Sequence, residues 1–585
     1  MRLNGCIPAI TILALSITIT TQQTIETSWS SNNMGSDGPW QGVEVTVGDD
    51  QTMTLYPGTI FYSWLIPPDY CDFNRTLGCP AGSNGLYNKE KSFNQFTGST
   101  GGIQFSPPAS DMSRGIDIQG PPATSWVDQM TIASSVNVPN VSVAILNKPG
   151  VAYPDGKWYP LSAGCLGLGG FGSVNQTFGL TGGSSINASL IPGHLWESGR
   201  VSSNSFGMHF GSAVSGSSVA GSLQWGGYDK SRVLGDVLTT HNSDGELFAR
   251  ARLTGLSLEV ADGVSPFNAS EATEDNLLGS NNQVDVDLDG CSPYLTFSKA
   301  TCDRIAEHLP VTYDQDLGLY LWDTSSPQYP RVVSSASSLA FTIESPKPEG
   351  DKDTITVRVP FAHLNLTLSA PLKSTPTPYF PCFTGGRAGA DAAVLGRAFL
   401  QDAFLGANWA TKTWWLAQAP GPRLGNRDVE EIAQSDVTIS GSDQAWAESW
   451  RGTWTPLEEG VEPTGPLSSP QPPPSTSAEP EPEPESSGLP TGAIAGIGVG
   501  AGVLVLAAIG GLVFFFLRRR RKAKAAELHA VPAPAPETEL SHWGYGGYNT
   551  QHGYAEKEVY KPQTEPAEMY TGGEHQPGYT RQELP

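Results

Sequence analysis

The sequence predicts a mainly β fold with short helices across residues 38–420, and three observations carry that expectation. Gly and Pro are abundant, 66 and 47 of 585 residues. Both penalise helix interiors and serve the turns between strands. Apolar residues also alternate with polar ones: Val43, Val45 and Val47 enclose Glu44 and Thr46, and Ile355, Val357 and Val359 enclose Thr356 and Arg358. A period of two lines one face of a strand. Helical spacing, by contrast, is rare. Its clearest case is 298–309, where Cys302, Ile305, Ala306 and Leu309 share a face, Ser298 stands as N-cap and Pro310 stops the run.

Charge and composition exclude several functions. The chain carries 34 Lys plus Arg against 58 Asp plus Glu, a net charge of −24. A phosphate-backbone binder needs the opposite balance, so no nucleic-acid partner is expected. Seven Cys in 585 residues are too few for a disulfide scaffold.

The ends of the chain predict a compartment. Residues 1–21 read as a secretory signal, with Arg2 before the apolar run 7–19. Residues 492–517 carry no charge and reach about 39 Å as a helix, enough to span a bilayer with tilt. They stop at Arg518-Arg519-Arg520-Arg521-Lys522, which the positive-inside rule keeps cytoplasmic. The expected topology is a type I, single-pass cell-surface protein. Sequons at Asn74, Asn140, Asn175, Asn187, Asn268 and Asn365 all lie on the predicted outer side. Residues 456–490 are rich in Pro, Ser and Glu and read as an extended stalk, and 518–585 as a disordered tail. Gly492, Gly496 and Gly500 keep small-residue spacing, through which two spanning helices would pack as a weak homodimer.

Four stretches together carry a resemblance. They are PGTIFYSWLIPPDYCDFNRTLGCP (57–80), GCLGLGGFGS (164–173), GSLQWGGYDKSRVLGD (221–236) and VLGRAFLQDAFLGANWATKTWWLAQAP (394–420). In this order they resemble the pepsin-like aspartic proteases, and among these the divergent membrane-anchored fungal branch. The resemblance implies an N-terminal β-lobe over 38–240 and a C-terminal β-lobe over 241–420, followed by an extension over 421–455. A duplicated fold repeats its spacings. Pro57 to Gly167 is 110 residues (167 − 57) and Asp289 to Gly396 is 107 (396 − 289), although these anchors come from the resemblance.

The chemistry the family implies needs two aspartates sharing a proton across the lobe junction, one activating water and one polarising the peptide carbonyl. Each belongs to an Asp-Thr/Ser-Gly triplet. Here Asp289 falls on the second aspartate, with Gly290 and Cys291 in place of the hydroxyl residue and the glycine. Aligning Trp64 with the family's tryptophan puts Pro57-Gly58-Thr59 on the first triplet, so Pro57 marks a lost carboxylate. No flap tyrosine is recognisable between 90 and 125.

Six Cys remain once Cys6 leaves with the signal. Cys71 and Cys79 would close a short loop. The resemblance implies a Cys302–Cys382 bridge, leaving Cys165 and Cys291 as buried thiols or an unusual link. The run Gly167 to Gly172 matches G-x-G-x-x-G but lacks the βαβ context of a dinucleotide site, and no zinc or serine-hydrolase motif occurs, so no cofactor or metal is expected. The leading expectation is a surface glycoprotein whose inactive pepsin-like lobes bind a peptide or cell-wall ligand. The alternatives are an active acid endopeptidase with an unconventional first site, and a stalked wall sensor whose lobes act as a spacer.

Overall fold

The computed structural model describes residues 24–459, apart from 73–77, 94–101, 149, 171–172, 242–248, 268–275, 280–281, 347–353 and 386–392. The predicted signal, membrane segment and tail lie outside the described residues, as do nearly all of the stalk and the sequons at Asn74 and Asn268. Among the described residues no helix is long and apolar enough to cross a membrane.

The chain is mainly β, and the alternating runs form as their period requires. The strand Val43–Val47 buries its three valines and exposes Glu44. The strand Thr354–Pro360 buries Ile355, Val357 and Val359. The helix Lys299–Ala306 starts where the N-cap places it, with Ser298 Oγ accepting from the Thr301 amide at 3.2 Å. It ends before the predicted Leu309. The amides of His308 and Leu309 turn to the carbonyls of Ile305 and Ala306, tightening the last turn ahead of Pro310.

Three large sheets organise the fold. One has eight strands, one has seven, and a six-stranded sheet draws strands from both halves of the chain. In the last, Ser205–His209 pairs antiparallel with Ala403–Asn408, which fastens the halves together. The eight- and seven-stranded sheets contain the same four-strand unit. In the first half, Gln51–Gly58 runs parallel to Cys165–Gly167, which is antiparallel to Ser63–Leu65, which is parallel to Val136–Ile145. In the second half, Val284–Leu288 runs parallel to Ala393–Leu395, which is antiparallel to Leu295–Thr296, which is parallel to Cys382–Phe383. Direction and order repeat strand for strand. This is the internal duplication that the spacings suggested.

The extension after residue 420 packs back on the body. Val429–Glu431 pairs with Gly227–Asp229. Trp450 stacks on Trp454 at 5.3 Å and meets the His363 ring edge-on at 4.8 Å.

Candidate functional site

The two units place two turns face to face. One follows the strand Gln51–Gly58 and the other follows Val284–Leu288. The ladders fix which residues correspond. Pro57 pairs with Leu166, just before Gly167, and Leu288 pairs with Leu395, just before Gly396. Pro57 therefore matches Leu288, and Gly58 matches Asp289. The cross-junction contacts agree. Thr59 Oγ1 donates to the Leu288 carbonyl at 2.6 Å. Reciprocally, a Cβ on Gly290 would clash with the Pro57 carbonyl oxygen. Thus Thr59 and Gly290 are counterparts, and only the first half supplies a hydroxyl. The residue opposite Asp289 is Gly58, one place on from the Pro57 that alignment on Trp64 had marked. Ladder register, which a single tryptophan cannot report, makes the difference.

A disulfide fills the space beside Gly58. Cys165 and Cys291 are bonded across the junction, with their Cα atoms 5.8 Å apart. A Cβ on Gly58 would collide with Cys291 Sγ and stand 2.9 Å from Cys165 Sγ. With the bridge in place, no side chain fits at position 58, and therefore no carboxylate. Of the two fates open to this leftover pair, the structure takes the link. It also contains Cys71–Cys79 and Cys302–Cys382.

Asp289 itself is fully buried. Its Oδ1 accepts from the Cys291 amide at 2.9 Å. Its Oδ2 accepts from Ser292 Oγ at 2.8 Å and from Ser113 Oγ at 3.2 Å. Among the described residues, each of these partners is a hydroxyl or an amide, and no carboxylate is among them. Burial pushes the Asp289 carboxyl above the usual carboxylate range, against the pull of these hydrogen bonds. The chain around Ser113 comes from the first half and seals the site. The Gly115 amide donates to Ser292 Oγ at 3.0 Å, and Thr296 Oγ1 donates to the Gly115 carbonyl at 2.8 Å. Arg114 then reaches Asp287 at 3.1 Å, which Arg250 grips from its other side at 2.7 Å. Among the described residues no second carboxylate shares a hydrogen bond with Asp289, and its side chain is buried.

Arg397 completes the site. It follows Gly396 and is 98% shielded, at 2% exposure. Its Nη1 donates to the carbonyls of Gly290 and Cys291, both at 3.0 Å, and its guanidinium lies 3.7 Å over the Tyr56 ring. Arg397 lies within the stretch 394–420 that carries the resemblance, although nothing there singled it out, and Ser113 has no periodic or motif signal in the sequence. Ser292 lies three residues past Asp289 in the same turn and was not singled out either.

Four of the predicted sequons fall on described residues. Asn175 and Asn187 are exposed on a paired hairpin. Asn140 is half-buried at a positive φ of 50°. Asn365 is half-buried and donates through Nδ2 to the Tyr329 hydroxyl at 3.0 Å.

A comparison with solved structures matches the chain to the aspartic proteinase from Irpex lacteus. Identity is 16% and the TM-score is 0.43, over 68% of this chain and 98% of that one. No family model matches the chain. No curated protein matches it either.

Proposed function

We propose that this chain is a catalytically silent, pepsin-like surface protein that holds a peptide or cell-wall ligand between its two halves without cutting it. One observation carries the reading: the position opposite Asp289 is Gly58, and the Cys165–Cys291 disulfide takes the room a second carboxylate would need. General acid–base attack by a shared-proton pair requires both acids. The predicted signal, stalk and apolar segment support display at the cell surface, anchored by 492–517 and held off the membrane by 456–490. Surface labelling of intact cells, with the tail as the protected portion, tests that placement.

Activity is tested on the secreted ectodomain, incubated with a denatured protein at acidic pH with and without pepstatin. The expected result is no cleavage. Pepstatin-sensitive cleavage that disappears in Asp289→Asn would overturn the reading and restore the acid endopeptidase.

A further inference from the structure

A small cavity of about 40 Å³ lies at the junction, bounded by Asp37, Tyr56 and Ser162 on one side and by Cys291, Pro293 and Arg397 on the other. That exceeds the roughly 10–15 Å³ that a single water requires. We propose that this cavity binds a small zwitterionic α-amino acid, with its carboxylate on Arg397 and its ammonium group on Asp37.

Arg397 is a built anion site rather than a surface charge. It is 2% exposed, and its Nε has no hydrogen-bond partner. Its Nη1 is committed to two backbone carbonyls, and among the described residues no carboxylate is paired with it. A buried guanidinium with an unmet donor costs free energy, and its planar fork suits a carboxylate. The rings of Tyr56 and Trp40, 3.7 and 5.0 Å from the guanidinium, hold it in place. Beside it, Tyr56 Oη lies 3.3 Å from Ser162 Oγ, so hydroxyls are at hand for a carboxylate oxygen.

Asp37 lines the same cavity and is only half-buried. The Trp40 indole N–H donates to its Oδ1 at 3.0 Å, which fixes the carboxylate and leaves Oδ2 free of any bond to that ring. A simple anion entering beside Arg397 would meet the Asp37 charge. A zwitterion satisfies both groups at once, and the small size of the cavity favours a small side chain such as that of glycine or alanine. This proposal does not depend on whether longer peptides enter between the halves.

The test is calorimetric titration of the folded ectodomain with glycine, acetate and glycinamide. Glycine is expected to bind saturably. Acetate, lacking the ammonium group, and glycinamide, lacking the carboxylate, are each expected to bind at least about tenfold more weakly, the scale of one charge-assisted hydrogen bond. Arg397→Lys should abolish glycine binding, but Arg397 also braces the Gly290–Cys291 turn, so this variant risks misfolding. Asp37→Asn sits nearer the surface and is the second arm. It should weaken glycine at least severalfold while leaving acetate equal or tighter. Two outcomes overturn the proposal: no saturable binding of glycine at millimolar concentration by folded protein, or glycine binding that Asp37→Asn leaves unchanged.

Discussion

The turns after Gly58 and after Leu288 are built on the same four-strand unit, yet they have diverged in opposite ways. The second has an acid and no hydroxyl, with Gly290 where Thr59 stands in the first. The first has a hydroxyl and no acid, with Gly58 at the position matching Asp289. Each half carries what the other lacks, and the disulfide joins the two turns at this point. The comparison separates two demands that a symmetric active site makes together. Thr59 to Leu288 is a bracing contact that holds the junction. A carboxylate at 58 would be a reacting group. Here the bracing contact is present, and position 58 carries no carboxylate.

The largest expected effect comes from breaking the link between the turns. Replacing both Cys165 and Cys291 with Ala opens a loop whose ends are 126 residues apart, worth about 5 kcal/mol of chain entropy. Denaturant unfolding of the double variant against the parent measures it. Next, Gly290→Ala presses a methyl group against the Pro57 carbonyl, and overpacking of that kind costs about 3 kcal/mol. Gly58→Ala should cost a similar amount in the parent and much less when both cysteines are gone, because the colliding sulfurs have left. A double-mutant cycle that came out additive would contradict the packing described for Gly58. Thr59→Val removes one donor from a buried carbonyl and should cost about 1 kcal/mol.

The smallest effect is in pH dependence. Burial raises the Asp289 carboxyl, so the folded state holds its proton more tightly than the unfolded chain does. The stability this contributes is complete below the unfolded carboxylate range, near pH 4. It is lost as pH rises through the folded value. Asp289→Asn should therefore flatten the decline in melting temperature from pH 4 toward neutrality. An unchanged slope would mean that Asp289 does not titrate as its burial implies.

Much of the scaffold was legible because its cause is local. Alternation at Val43–Val47 and the Ser298 cap need only neighbours in sequence, and both formed where expected. Asp289 was legible through the resemblance, which set it on the family's second aspartate. The rest of the site was not, because its parts meet only in three dimensions. Cys165 and Cys291 could be identified only as a remainder. Ser113, far upstream, joins Asp289 across the junction without any periodicity to announce it. Gly58 was displaced by one residue to Pro57 because a loop can absorb a residue between two anchors, whereas a ladder cannot.

The Cys165–Cys291 bond also changes what a single cut can do to this molecule. It encloses the whole connection between the two four-strand units, including residues 242–248. A protease that nicks the backbone anywhere inside that ring yields two fragments that remain one covalent body. They would migrate as a single species on a denaturing gel until a reductant is added. The connection between the halves can thus be severed without either half being released.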